Sequence, residues 1–362
     1  MKRIEVGTAS SLGVSPTEMQ NFYRDNWIRQ ISLSNSVFYS WQFINNSVNL
    51  GIDECVVAVR DNVLCGVMGV NSRNFYLNGE RVNGAELTTW IVSEEMRGKG
   101  AGPAILNFLL EKYDVLIGMG ISRDALPLYL RYGFKYLRSI PRYLRLFNPE
   151  AIAKYSVIDS LVLKLARMRS PQISSTPYIT SHADDEALDR VFHNFSRKYQ
   201  LFDRSSIDFR WRYINHPVYA YESHLISELV SGKNAIVVTR SQELPNGEKI
   251  LRVMDIFGDN EALFPAAAFI DSYCMERNYA LADFFCTTTR ISSKLVATGW
   301  FSAIDEDFFQ FPHLFEPIEL RQPSSTSLIY WARNKLDQIA DYSNLYITKQ
   351  DADLDRPVDV GD

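Results

Sequence analysis

The chain has 362 residues and 41.5 kDa, more than one compact domain usually needs, so two domains are expected. Hydrophobic residues make up 46% and charged residues 22%, enough apolar material for real cores. The 38 basic and 43 acidic residues leave a net charge of −5 and a pI near 5.7. No basic run interrupts that balance, which disfavours general nucleic-acid binding. The segment from Met1 to Pro16 lacks an apolar signal core and no stretch approaches a membrane span, so a cytoplasmic chain without membrane attachment is expected. Cys55, Cys65, Cys274 and Cys286 have no metal-ligand spacing and read as reduced core thiols.

In chain order, the first element is a helix opened by the capping box Ser15-Pro16-Thr17-Glu18. Its Met19, Phe22, Tyr23, Trp27 and Ile31 are predicted to share one face. Trp41-Gln42-Phe43-Ile44-Asn45-Asn46 follows. Next come a strand over Ala85–Ser93, a glycine-rich turn, a helix over Pro103–Tyr113, a strand over Asp114–Ile121 and a helix over Arg123–Tyr132. Arg169 to Pro177 has the composition of a linker. The pattern then repeats. Trp211-Arg212-Tyr213-Ile214-Asn215-His216 matches the first tryptophan motif. A strand over Lys249–Gly258, a turn, a helix over Pro265–Asn278, a strand over Tyr279–Thr287 and a helix over Ile291–Thr298 follow it. Gly133-Phe134 closes one copy and Gly299-Trp300 the other. An internal duplication of an α/β (α+β) unit results, with mixed central sheets flanked by helices. The expected division is 1–150, a connecting helix and linker over 151–180, a second unit over 181–349, and an acidic tail over 350–362.

The turn Arg97-Gly98-Lys99-Gly100-Ala101-Gly102 stands between a strand and a helix. Glycines there let successive N–H groups converge at the positive end of the helix dipole, and Arg97 and Lys99 add charge, which suits a diphosphate. A plain tight turn would show the same glycines. No Gly-Lys-Ser/Thr ends the turn, so it is not a P-loop. The next strand lacks the acidic residue that a ribose would require.

Taken with Ala125-Leu126-Pro127-Leu128-Tyr129-Leu130-Arg131-Tyr132-Gly133-Phe134, the turn resembles the two spaced motifs of the GNAT superfamily of acyl-CoA-dependent N-acyltransferases. The resemblance covers about residues 52–136 and implies two tandem GNAT-like domains. It implies that Arg97, Gly98, Lys99, Gly100, Ala101 and Gly102 hold the coenzyme A pyrophosphate. Backbone N–H groups near Ile91 and Val92 would polarise the thioester carbonyl, and Tyr129 would protonate the leaving thiolate. Pro127 departs from the family pattern, and a kink there would shift the tyrosine. Glu86, six residues before Val92, stands where some members carry a base. Strict alternation places Glu86 on one strand face with Thr88, Trp90 and Val92. The competing reading of Glu86 is a solvated residue at the start of its strand.

The second copy has Asp259-Asn260-Glu261-Ala262-Leu263 in place of the glycine turn and Leu295 in place of the tyrosine. Two carboxylates would repel a diphosphate, so coenzyme A is expected in the first half alone. His182, His193, His216, His224 and His313 lack metal-ligand spacing. Asp351 to Asp355 lacks the glycine and the glutamate of a calcium loop. No metal is expected.

The tandem arrangement, with the Trp-Arg-Tyr-Ile-Asn-His-Pro motif at 211–217 and the ending from Ile347 to Pro357, is also similar to acyltransferases of bacterial surface-polysaccharide clusters, which resemble Fem-type peptidyltransferases in shape. That similarity implies transfer of a 3-hydroxybutyryl or acetyl group to a dTDP-linked 3-amino-3,6-dideoxyhexose. Trp211, Arg212, Tyr213, His216 and Arg290 would then contact the nucleotide sugar from an inter-domain cleft, with the chain a monomer or homodimer. The alternatives are that Trp211 and Tyr213 anchor a core, that the acceptor is a peptide or small-molecule amine, and that the chain is an acyl-CoA sensor without catalysis. The acidic ending reads as a loose tail or, if folded back, as a lure for a sugar ammonium.

Overall fold

The structure is a computed structural model that describes residues 3–161, 163–164, 177–303, 309–315, 318–320, 324–334, 336–352 and 356–357. All of the expected linker except Pro177 lies outside these residues. The first half contributes strands β1 (Glu5–Thr8), β2 (Val56–Arg60), β3 (Val63–Leu77), β4 (Glu80–Val92), β5 (Val115–Met119), β6 (Lys135–Leu137) and β7 (Arg142–Leu146). After β8 (Val157–Ile158), the second half contributes β9 (Tyr178–His182), β10 (Leu201–Phe202), β11 (Glu222–Glu228), β12 (Asn234–Glu243), β13 (Lys249–Gly258), β14 (Tyr279–Phe285) and β15 (Phe301–Ser302). The short β16 (Phe309–Gln310), β17 (Pro312–Phe315) and β18 (Ile318–Leu320) precede β19 (Leu328–Ala332). β8 pairs with β16, and β17 with β18, as small ribbons.

The duplication is legible in the sheets. The first runs β1-β2-β3-β4-β5-β19-β6, with β10 on the side of β3; the second runs β9-β11-β12-β13-β14-β7-β15. They match strand for strand, each with one parallel pair, β4 with β5 and β13 with β14. In each sheet the strand beyond that parallel pair comes from the other half. β7 lies between β14 and β15, and β19 lies between β5 and β6. The chain thus exchanges one strand each way, as a domain-swapped dimer does between protomers.

Apolar helices fix both sheets from their flanks. Ile105, Leu106 and Leu109 of the helix Ala101–Lys112 pack on Val56, Met68 and Leu87. The opposite face, with Val57, Val67 and Ile91, takes Met19, Phe22 and Tyr23 from the helix Pro16–Asn26. The predicted capping box is formed: Ser15 N–H donates to Glu18 Oε2 at 2.8 Å and Glu18 N–H to Ser15 Oγ at 3.3 Å. That helix stops at Asn26, so Trp27 leaves the apolar face and is exposed. In the second half, Ala266, Ala267 and Ile270 of the helix Leu263–Glu276 join the larger core. The four cysteines are free and buried.

The exchanged β7 is fastened by charge. Arg145 forks onto Asp271 at 3.1 and 3.0 Å and donates to the Gly299 carbonyl at 3.0 Å. Gly299 has φ of +100°, and a Cβ there would stand 2.6 Å from Arg145 Nη1, so any other residue would be strained and would displace the guanidinium. Arg142 donates to Asp283 at 3.1 and 2.9 Å. Burial by itself would raise the Asp283 carboxyl, but Arg252, Lys349 and Arg142 outweigh it and hold it well below the ordinary carboxylate range.

A fragment ending at residue 150 would leave β5 and β6 without β19 and β7 without a sheet. Open strand edges of that kind aggregate. Such a fragment is expected to show no cooperative melting by circular dichroism, and co-expression with 151–362 to restore a soluble complex. A monomeric 1–150 with a sharp transition would refute this.

Candidate active site

The two tryptophan motifs form the same rare structure. Ser36–Tyr39 and Ser206–Phe209 are single α-helical turns that continue into π-helical turns, Ser40–Ile44 and Arg210–Ile214. Such turns concentrate at functional sites. The copies meet reciprocally: Trp41 Nε1–H donates to the Trp211 carbonyl at 2.9 Å, and Trp211 Nε1–H to the Trp41 carbonyl at 2.8 Å. Their rings stack 5.7 Å apart at 26°. This is the isologous contact expected at a pseudo-twofold axis.

Beside that axis lies a small, partly open recess with a cavity volume of about 20 Å³. Trp41, Gln42 and Phe38 line it from the first motif, Trp211 and Arg212 from the second, Asn71 and Glu86 from the first sheet, and Ala352 and Arg356 from the end of the chain. Gln42 and Arg212 hold the same place in the repeat, so duplication followed by divergence gives the recess one neutral and one cationic wall. Glu86 is buried and accepts from Asn71 Nδ2 at 3.1 Å across the β3–β4 pair. It is not a solvated strand end.

Strict alternation along β4 fails. The register slips between Met68 opposite Trp90 and Val70 opposite Leu87, a bulge that inserts one residue. Trp90 and Val92 therefore pack with Leu87 and Ala85 against the helix Ala101–Lys112, while Glu86 lines the recess on the other side. Glu86 does not share a face with Trp90 and Val92.

β4 and β5 are paired from Gly84 to Leu87 and then part, although β4 stays on β3 as far as Val92. Among the described residues no backbone hydrogen bond closes the split beside Ile91 and Val92. The second half opens the same split: β13 and β14 are paired from Lys249 to Arg252, while β13 follows β12 to Gly258. There the end of the chain fills it. Tyr346 Oη accepts from Ile256 N–H at 3.0 Å, Thr348 bridges to Cys286, and Lys349 Nζ donates to the Asp283 carbonyl at 2.8 Å. The two halves thus share one architecture, but among the described residues no backbone segment bonds across the first split, where Arg356 Nη1 donates to Thr89 Oγ1 at 3.1 Å.

The glycine turn stands at the mouth of the first split. Gly98 and Gly100 have φ of +74° and +97°, and nothing lies within 4 Å of where a Cβ would stand on either, so conformation and not space requires glycine. No side chain caps the helix that follows, which leaves its first amides for a ligand. Arg97 and Lys99 are exposed beside it. At Gly102 a Cβ would lie 3.1 Å from Trp90 and 3.3 Å from Leu128, which brings the turn against the helix Leu126–Arg131. Pro127 lies in the first turn of that helix, where a missing N–H costs nothing. It does not kink the helix, and Tyr129 N–H still reaches the Ala125 carbonyl at 3.2 Å. The Tyr129 ring packs 5.2 Å from Trp90 and 5.0 Å from Phe134. Burial pushes its phenol far above the ordinary value, so it keeps its proton.

The other expected contacts divide. Trp211 and Arg212 reach the recess. Tyr213 is buried against Phe209 and donates to Gln350 Oε1 at 3.1 Å. His216 packs on Trp41, and its Nδ1 accepts from Val218 and Tyr219 N–H at 3.2 and 3.0 Å, which fixes the loop. Arg290 is exposed on the helix Thr289–Ala297 and does not line the recess. Sequence reasoning passed over Gln42, Asn71 and Arg356. Alignment of Gln42 with Arg212 in the repeat was the available signal for the first; the other two carry none.

Residues 350–352 do not form a loose tail. Asp351 is fully buried and bridges Arg73 at 3.1 Å and Arg204 at 2.6 Å. Arg73 also holds Asp208 at 2.5 Å, and Arg204 holds Asp255 at 2.7 Å. Asp351 is therefore committed to two guanidiniums and does not attract an ammonium. Asp353 and Asp355 lie outside the described residues. Among the described residues no cluster of metal-ligating side chains occurs and no helix is long and apolar enough to cross a membrane.

Comparison with known proteins agrees with this geometry. Residues 16–137 match the profile described as an acetyltransferase (GNAT) domain. Among solved structures the chain is similar to a GCN5-related N-acetyltransferase from Anabaena variabilis, at 15% identity, TM-score 0.56, over 91% of this chain and 72% of that one. It is similar to a probable N-acyltransferase from Enterococcus faecalis, at 11% identity, TM-score 0.55, over 94% and 74%. It is also similar to Saccharomyces cerevisiae N-myristoyltransferase with bound myristoyl-CoA, at 11% identity, TM-score 0.51, over 91% and 83%. At these identities the likeness is one of fold. No curated protein sequence matches the chain. Residues 16–137 thus carry a match to a GNAT acetyltransferase domain, and the chain as a whole shares its fold with N-acyltransferases.

Proposed function

We propose that the first half binds acyl-CoA, with the pyrophosphate on Arg97–Gly102 and the pantetheine arm in the β4–β5 split, and that the recess at the junction receives the acceptor amine. The observation that carries this reading is the asymmetry of the two splits: among the described residues no backbone segment bonds across the one beside the glycine turn, and the other is closed by residues 346–349 beside two carboxylates. The amine nitrogen attacks the thioester carbonyl, forming the N–C bond as the C–S bond breaks. N–H groups near Ile91 and Val92 stabilise the oxyanion. Tyr129 gives its proton to the thiolate, and Glu86 takes the proton that the amine sheds.

The acceptor we favour is a nucleotide-linked amino-deoxy sugar of dTDP type, acylated with a 3-hydroxybutyryl or acetyl group during surface-polysaccharide synthesis. What supports it is the makeup of the recess: indoles for an apolar sugar face, Arg212 and Arg356 for phosphate, and Glu86 for the amine. The test is coenzyme A thiol release with acetyl-CoA and 3-hydroxybutyryl-CoA against a panel of dTDP-amino sugars. Release that depends on one sugar is expected. Release with peptides or simple amines alone would move the acceptor, and coenzyme A binding without turnover would make the chain a sensor. Glu86→Gln is expected to lower turnover most at low pH, where the amine is protonated and needs a base. An unchanged pH–rate profile would remove Glu86 from that role.

A further inference from the structure

Gln42 and Asn71 pose a problem that the reaction scheme leaves unanswered. Both side chains are 3% exposed and both line the recess. Gln42 Oε1 and Asn71 Oδ1 are buried without a hydrogen-bond donor. A buried acceptor left unmet costs about 1–3 kcal/mol, and native proteins carry few of them. Asn71 has turned its amide so that Nδ2 donates to Glu86, which leaves its oxygen as the acceptor. The first-half side of the recess therefore presents two amide oxygens and a carboxylate.

An ammonium or amine is the chemical complement of such a wall, since it brings several N–H donors and no competing acceptor. The same recess holds Arg212 and Arg356. Arg212 Nε donates to the Gln350 carbonyl at 3.2 Å, and Arg356 Nη1 to Thr89 Oγ1 at 3.1 Å. Two guanidiniums at the same recess oppose a simple cation. They suit an amine joined to an anionic group.

We infer that Gln42 and Asn71 bind the acceptor nitrogen together with Glu86, and that the acceptor is an amine carrying a negatively charged group, read by Arg212 and Arg356 at the same recess. This rests on the recess being the acceptor site. It adds two substrate-binding residues and a charge requirement to that reading. Gln42 and Asn71 hold the nitrogen without moving a proton, so their loss acts on KM more than on kcat.

A matched pair of small probes tests it without acyl transfer: 2-aminoethyl phosphate and ethyl phosphate, titrated calorimetrically into the full chain. The aminated probe is expected to bind at least about tenfold more tightly, the effect of one lost charge-assisted hydrogen bond. That preference is expected to vanish in Gln42→Leu, whose melting is not lowered because it removes an unmet acceptor, and in Asn71→Leu, which melts lower because Glu86 loses its hydrogen bond from Nδ2. Gln42→Glu keeps the oxygen and is expected to retain the preference. Equal binding of the two probes, no saturable binding of the aminated one, or a preference that survives both leucine variants would overturn the inference. Thiol release reports separately on the acyltransferase reading. Turnover with the amine KM unchanged in both variants would overturn the role of these residues and leave the enzyme assignment standing.

Discussion

Replacing Tyr129 by phenylalanine is expected to lower kcat by about 10²–10⁴-fold, the range of a lost general acid, with KM for acyl-CoA and the melting temperature nearly unchanged. The change removes one oxygen. The ring keeps its contacts with Trp90 and Phe134, and those contacts position the helix against the glycine turn. Burial pushes the phenol far above its ordinary value, so it holds the proton that the proposed acid role requires. A coenzyme A thiolate that leaves without a proton departs as a charged group in a poorly hydrated split, and its barrier rises accordingly. Thiol release and thermal unfolding measure the two quantities. A kcat within about threefold of the parent would assign protonation of sulfur to water or to another residue.

The second large effect concerns the charge cluster that joins the halves. Arg73 and Arg204 face Asp208, Asp255 and Asp351, all inaccessible or nearly so. Two cations thus serve three carboxylates, and burial pushes Asp208 and Asp255 up against the pull of their guanidinium partners. The two kinds of deletion are not equivalent. Arg73→Met leaves three carboxylates on one guanidinium and is expected to cost about 3–5 kcal/mol in urea unfolding, as breaking a buried pair does. Asp351→Asn brings the cluster to two against two, keeps the shape, and is expected to cost only about 1–3 kcal/mol, from weakened hydrogen bonds. Equal losses, or the reverse order, would show that hydrogen-bond count and not charge balance governs the cluster. The Arg73 guanidinium also lies over the Trp211 ring at 5.6 Å, so Arg73→Met is expected to disturb the recess as well as the fold.

Both experiments depend on the way the chain end is used. Residues 345–352 enter the second half's split, tie the two halves together through Asp351, and reach the recess at Ala352. One segment thereby closes the second split, joins the two halves and lines part of the recess. Duplication leaves two equivalent clefts, and filling one is a direct way to make a symmetric pair into a single asymmetric site.

How much of this was legible beforehand differs element by element. Lys249–Gly258 is one strand because its apolar β-branched run leaves no other choice, and the helices at Ala101 and Leu263 follow from glycine or acidic turns before apolar stretches. The position of Tyr129 and the glycine turn are likewise local, since each depends on residues within a few places of it. The face of Glu86 was misjudged because a bulge is a matter of pairing with Met68 and Val70, and β4 by itself carries no sign of it. Arg290 was selected for its charge, yet its helix points that charge to solvent away from the recess.

What the sequence by itself determined is the duplication, the order of strands and helices within each half, and the glycine turn with its tyrosine. These rest on backbone propensity and short-range periodicity, which act within a dozen residues. The exchange of β7 and β19, the filled second split, the buried carboxylate of Asp351, and the meeting of Gln42, Asn71, Glu86 and Arg212 around one recess were decided by the tertiary structure alone. Each is a contact between segments far apart in the chain. Its free energy comes from desolvation and charge pairing in three dimensions, for which no local pattern of residues stands proxy.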